Sequence, residues 1–268
     1  MMVLEKLLLV HLGTFTLVLG RVGALVMTAP IFGNRAIPLQ GRALIALMIS
    51  LLVTPLLAQH STVDMGNLPV FTKHLLSEAL IGLLFGLGIT ILLNGIQMTG
   101  QLISQLSGTA LAEVFDPSLE ENVSVYSQFF YFLTLVMFVL LDGHRLTMDA
   151  LLDSFAHLPP GEANLGSDYV EALTVLLGQS FMLGIRAAAP AMTALLLATL
   201  VLGLIGRTMP QINILAVGFG VNSLLSLGCL FTTIGVVAWA FPQQTGMAID
   251  VLRSAISSSS PQPLAHST

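Results

Sequence analysis

Apolar residues run along this chain in long unbroken stretches, at about 7–33, 43–58, 74–112, 126–141, 170–206 and 211–241. No charged side chain occurs from 79 to 112, and none from 208 to 249. Neither the alternation of a half-buried strand nor the single apolar stripe of a surface helix is present. The pattern predicts helices that are apolar all round. A helix needs about 20 residues, rising ~1.5 Å each, to cross a hydrocarbon layer ~30 Å thick. The third and fifth stretches exceed that length, so they must tilt, kink, double back or leave the bilayer. Pro190 lies in the middle of the fifth, Gly218, Gly220 and Gly228 loosen the sixth, and Asn94-Gly95 is a hairpin or kink point in the third. The second is short for a span. The fold class predicted is an all-α integral membrane protein, a bundle of long, kinked helical hairpins.

Two polar segments interrupt this pattern. The first, 113–125 (EVFDPSLEENVSV), is acidic and turns at Asp116-Pro117. The second, 142–171, begins with Asp142-Gly143-His144, where Gly143 allows an unusual backbone shape. It continues as the helix-like RLTMDALLDSFAH and the loop LPPGEANLGSD. The tail SSSSPQPLAHST is low in complexity and predicts disorder. Residues 1–256 are read as one membrane-embedded domain and 257–268 as the disordered tail. The first apolar stretch reads as a retained helix, since Lys6 is balanced by Glu5 and no small-x-small cleavage site follows closely. Lysine and arginine are spread too thinly to orient the chain by the positive-inside rule.

Composition sharpens this picture. Of 268 residues, 55% are hydrophobic and 9% charged, where a soluble domain carries about a quarter charged. Lipid or other subunits must cover much of the surface. The net charge of −5 argues against nucleic acid, which recruits basic stripes. The single cysteine, Cys229, leaves no disulfide framework and no cysteine-based metal site.

Several polar constellations have both a functional and a packing reading. Asn94, Gln97, Gln101 and Gln105 share a helical face within a charge-free stretch. They either bond helix to helix, at about 0.5–2 kcal/mol per contact, or line a wet passage. Gly82 with Gly86 and Gly184 with Ala188 permit close helix approach. Arg21 and Arg186 lie inside apolar runs, so each snorkels, pairs or faces a protein interior, with snorkelling or a subunit-facing position favoured. Glu78 and Glu113 are the available partners. Arg145, Asp149, Asp153 and His157 recur every four residues, which suits an ion-paired solvated face better than a metal site. No HExxH, Walker loop or GxSxG occurs, and GQSFM at 178–182 lacks the closing glycine. No catalytic centre, cofactor site or metal site is predicted.

Taken in order, the punctuating residues resemble one family, the FliR family of flagellar export-gate proteins and its injectisome counterparts. The resemblance begins with RVGALVMTAPIFG at 21–33, Ile37-Pro38, Arg42 and Pro55. It continues through Glu78 and the following IGLLFG, GQLISQLSG at 100–108, Asp116-Pro117, Asp142-Gly143-His144, Ser154-Phe155 and LPPG at 158–161. It closes with Pro190 and LGLIGRTMPQIN at 202–213. Each motif is weak alone; their order over about 1–250 is specific, and GRTMPQIN reads as the flagellar branch. The resemblance implies a non-enzymatic inner-membrane protein at the flagellar basal body. It implies assembly with FliP-type and FliQ-type subunits, contact with FlhB- and FlhA-type components, and passage of unfolded flagellar proteins. By position, the family's channel plug maps onto about 107–121, which contains Gly108, Glu113, Asp116 and Pro117. The polar face at Gln97, Gln101 and Gln105 would pack this plug against neighbouring helices, and the turn with Arg207, Pro210 and Gln211 would form a subunit contact. The competing expectations are a small-molecule secondary transporter, whose repeats and midmembrane charges are faint here, and an intramembrane enzyme built on His144, Asp149, Asp153 and His157.

Overall fold

The computed structural model describes residues 2–30, 37–57, 67–109, 124–162, 168–211 and 213–258, and for 2–9, 214–215 and 258 the backbone only. Seven helices follow one another in this region: α1 Met2–Thr28, α2 Leu39–Leu57, α3 Leu68–Ser107, α4 Val125–Leu140, α5 Gly143–His157, α6 Asp168–Thr208 and α7 Ile214–Ser258. No strand occurs among the described residues. Five of the helices are long and apolar enough to cross a membrane, or six if α4 and α5 together count as one bent span. The chain is an all-α, multi-pass membrane protein.

The long stretches stay helical where the sequence suggested breaks. α3 passes through Asn94-Gly95 without turning back, so of the hairpin or kink read there no hairpin forms. Gly95 serves packing instead. α6 continues through Pro190, and α7 through Gly218, Gly220 and Gly228 as far as Ser258. Ser257 and Ser258 therefore close a helix, and 259–268 lie outside the described residues. At Asp142-Gly143-His144 the left-handed residue is Asp142, with φ 55°, and Gly143 opens α5. Asp tolerates this conformation better than most side chains, so the special backbone falls one residue before the expected glycine.

The described residues fall into two compact units, those within 1–90, 142–176 and 246–258, and those within 91–141 and 177–245. In the first, α2 packs against α1, and α1 runs parallel to the first half of α3. Gly20 meets Leu75, Gly82 meets the Arg21 carbonyl, and Gly86 meets Thr28. A Cβ at 82 or 86 would collide with these groups, so the GxxxG pair works as the sequence indicated. Leu17, Val22, Leu25, Ile81, Phe85 and Leu252 fill the core.

In the second unit α3 and α6 are also parallel. Gly95 faces Ser180, and Gly184 faces the Gly95 carbonyl. α4 crosses α3 where Gly100 meets the Tyr126–Ser127 backbone. Leu93, Ile96, Phe130, Leu183, Ala188 and Leu195 are enclosed there.

Buried hydroxyls are satisfied mainly within their own helices, which lets them sit in apolar surroundings. Thr14, Ser50, Thr54, Thr134, Thr147 and Thr245 each donate to the carbonyl four residues earlier. The most apolar stretch of α3 is 61% buried, against 17% in α6 and 22% in α7. The side chains left open on α6 and α7 are large and apolar, among them Leu197, Leu200, Leu204, Leu224, Phe231 and Trp239. Exposing so much apolar surface to water is unfavourable, at about 25 cal/mol per Å². Lipid or another chain has to cover it.

Candidate functional site

The most elaborate polar centre is built around Arg21 in the first unit. Arg21 and Glu78 are completely enclosed, and the Arg21 Nε donates to Glu78 Oε2 at 2.6 Å. Nη1 donates to Ser154 Oγ at 2.9 Å, and Nη2 to the Leu158 carbonyl at 3.0 Å. The other Glu78 oxygen accepts from the Gly161 amide at 3.0 Å. Gly161 has φ 92°, a left-handed conformation that favours glycine, and so turns its N–H towards the carboxylate. Phe155 places its ring 4.1 Å from the guanidinium carbon.

Four segments meet at this centre: α1, α3, α5 and the Leu158–Gly161 turn. Two charges withdrawn from water cost several kcal/mol each, and the cost is recovered only when every polar direction is answered. Here Glu78 accepts at both oxygens, and the ring faces the cation. Arg21 thus neither snorkels nor faces a neighbouring subunit. It is an internal tie, with the partner Glu78 that the sequence offered. The residues that complete it, Ser154, Phe155, Leu158 and Gly161, carry no charge, so charge pairing alone did not reveal them. Ser154-Phe155 and LPPG stood out in the sequence only through the family resemblance.

In the second unit the amide-bearing face of α3 divides. Gln101 Oε1 accepts from Ser127 Oγ at 3.0 Å, joining α3 to the start of α4. Ser124 caps α4, accepting from the Ser127 amide at 3.1 Å. The Tyr126 hydroxyl and Ser226 Oγ lie 2.7 Å apart, linking α4 to α7, and Thr99 donates to the Gly184 carbonyl at 3.0 Å. Gln97 is half-buried, while Asn94 and Gln105 are exposed. Asn94 stands on a groove of about 220 Å³ lined also by Ile91, Met98, Leu177, Ser180 and Phe181. Only Gln101 of the four makes a described hydrogen bond to another helix. The Tyr126–Ser226 link was not foreseen, because two hydroxyls a hundred positions apart leave no local pattern.

Beyond Ser107, α3 ends at Gly108, whose φ of 80° is left-handed. The Thr109 hydroxyl lies 3.0 Å from Ser104 Oγ and 2.9 Å from Ser107 Oγ, which fixes the exit of the chain. Glu113, Asp116 and Pro117 lie outside the described residues. Arg207, in the last turn of α6, and Pro210 and Gln211, in the turn that follows, are exposed, and the Met209 amide donates to the Ile205 carbonyl at 2.8 Å.

The four-residue series on α5 behaves as a solvated face. Arg145 and Asp149 are 3.9 Å apart, and Asp153 accepts from Arg253 at 3.1 Å. Among the described residues no three of His, Cys, Asp and Glu converge as metal ligands would. Arg186 is exposed on α6.

The sequence of residues 12–247 matches the family described as bacterial export proteins, family 1. The chain is 34% identical to the flagellar biosynthetic protein FliR of Pectobacterium carotovorum, over 80% of this chain and 82% of that one. It is 29% identical to the FliR of Caulobacter vibrioides, over 88% and 94%. With the FliR of Bacillus subtilis the identity is 26%, over 90% and 93%. The match covers every helix that carries the Arg21 centre and the α3, α4 and α6 contacts, so the chain belongs to family 1 of the bacterial export proteins, the family of the flagellar biosynthetic protein FliR.

Proposed function

We propose that this protein is a subunit of the flagellar type III export gate, where it helps form the inner-membrane channel for unfolded flagellar proteins. Membership of the FliR family over nearly the whole chain carries this reading. The open apolar surfaces of α6 and α7 support it, because they suit a chain that finishes folding among sister subunits. FliP-type and FliQ-type proteins are the neighbours proposed for those surfaces, with FlhB- and FlhA-type components beyond them. The subunit performs no chemistry of its own; transported chains are moved by the wider machine. The solute-permease alternative draws no support from the relatives.

The segment after Gly108, with Glu113, Asp116 and Pro117, is the proposed plug of the resting channel. The left-handed Gly108 and the hydroxyl cluster of Ser104, Ser107 and Thr109 give that segment a fixed departure point. Gln97, Gln101 and Gln105 lie on the helix leading to it, and the exposed turn at 207–211 is the proposed subunit contact. Deleting residues 110–120 from the full chain tests the plug. The expected result is raised ion leakage through the inner membrane with the assembly still formed. A tight membrane together with normal export would contradict the assignment.

A further inference from the structure

Beside the close contact of α3 with α6 lies a groove of about 220 Å³, lined by Ile91, Asn94 and Met98 of α3 and by Leu177, Ser180 and Phe181 of α6. We infer that it seats a helix of a neighbouring gate subunit, one that presents an uncharged hydrogen-bonding side chain, an amide or a hydroxyl, to Asn94 and Ser180. The inference rests on the export-gate reading and states what one neighbour must bring to this surface.

The groove follows from the packing of two small residues. A Cβ at Gly95 would collide with the Ser180 backbone, so the two helices touch there and their larger side chains diverge to either side. Ile91 and Met98 stand one turn before and one turn after the contact. Two polar side chains open between these walls. Asn94 is exposed and makes no hydrogen bond among the described residues. Ser180 is only 3% exposed, yet it too makes none among them. Other buried hydroxyls of the molecule, such as Ser50, Thr134 and Thr245, donate to the carbonyl four residues earlier. Ser180 does not, and its hydroxyl stays available to the groove.

These two groups decide what covers the groove. No charged residue lies from 79 to 112 or from 172 to 185, so the groove sits well inside the apolar length of both helices. Hydrocarbon would leave the amide and the hydroxyl unanswered. Open water suits the rest of the lining as poorly, since Leu177 is 59% and Phe181 53% exposed at its rim. A helix meets both demands. At about 10 Å across it is too wide to enter a cleft of this volume, so its backbone lies along the mouth and covers Leu177 and Phe181. One polar side chain then enters between Asn94 and Ser180. That side chain is uncharged, because neither apolar stretch offers a counter-charge and an unpaired buried charge is strongly unfavourable. Asparagine and serine each donate and accept, which matches an amide or a hydroxyl, the groups that commonly bond one membrane helix to another.

The test is photocrosslinking in flagellated cells, with p-benzoylphenylalanine in place of Phe181 in the full chain and, separately, in place of Phe231. Phe231 is 77% exposed on α7 and reports whether the gate has assembled. Position 181 should give an adduct with a FliP-type or FliQ-type protein, on a peptide that carries Asn, Gln, Ser or Thr within one turn of the attachment point. Ser180→Ala keeps the Cβ against Gly95 and removes only the hydroxyl. It should lower the yield of that adduct about threefold and leave the adduct at 231 unchanged, and Asn94→Leu should do the same. An unchanged yield at 181, or an equal fall at both positions, would overturn the inference. So would an adduct at 181 with lipid, with a second copy of this chain, with transported flagellin, or with a peptide lacking such a residue. Crosslinking at 231 but not at 181 would contradict the groove alone, whereas none at either position would tell against the export-gate reading as well.

Discussion

The Arg21 Nε lies 2.6 Å from Glu78 Oε2, with both side chains fully enclosed between α1 and α3. Few features of the chain are so sensitive to the loss of one partner, because a charge left alone there has no water to turn to. Arg21→Ala or Glu78→Leu should each cost about 3–5 kcal/mol. The double replacement Arg21→Met with Glu78→Leu removes both charges and should recover more than half of that loss. The amount of full-length protein in membranes and its resistance to proteolysis measure the effect. Equal losses in the single and double variants would show that the ion pair is not what holds these segments. Asp153→Ala, which breaks the exposed pair with Arg253, should change stability by less than about 1 kcal/mol.

Two glycines of α6 should respond in opposite ways to added volume. Gly184 rests on the Gly95 carbonyl, whereas a Cβ at Gly178 would meet nothing within 4 Å. Gly184→Leu should force α3 and α6 apart and lower the folded yield severalfold. Gly178→Ala should be neutral or stabilising by about 0.5–1 kcal/mol, since alanine favours helix. Detergent-solubilised melting curves separate the two. A neutral Gly184→Leu would refute close packing at this crossing.

The amide face of α3 allows packing to be separated from passage. Gln101 is bonded to Ser127, so Gln101→Leu should cost about 0.6 kcal/mol of helix association. Gln105 is exposed. If it faces the channel, Gln105→Leu leaves protein levels unchanged while slowing flagellin secretion. Secreted flagellin measured against membrane-bound subunit reads both quantities. Unaltered secretion in Gln105→Leu would assign this position to packing or lipid.

Much of the architecture was legible because lipid imposes a crude rule, that a spanning element must be apolar over its whole length. The boundaries of α4 follow its apolar run to within a residue or two, and Gly82, Gly86 and Gly184 marked real close approaches. Interruptions were harder to read. Asn94-Gly95 looks like a turn in sequence, yet Gly95 is there to admit Ser180, and the lack of a side chain looks the same in either case. Arg21 was ambiguous for a related reason. Its surroundings are set by Ser154 and Leu158, more than a hundred residues away, and the backbone supplies one partner to Arg21, the Leu158 carbonyl, and one to Glu78, the Gly161 amide. The stretch 110–123, which carries Glu113, Asp116 and Pro117, owes its proposed part to family resemblance alone.

A chain that works as one member of a hetero-oligomeric export gate should leave the membrane together with its neighbours. Native mass spectrometry of the full-length, affinity-tagged chain, extracted from flagellated cells in mild detergent, tests it most directly. The expected result is a single complex containing this subunit together with FliP-type and FliQ-type proteins. A stable monomer or a homo-oligomer free of those partners would contradict it.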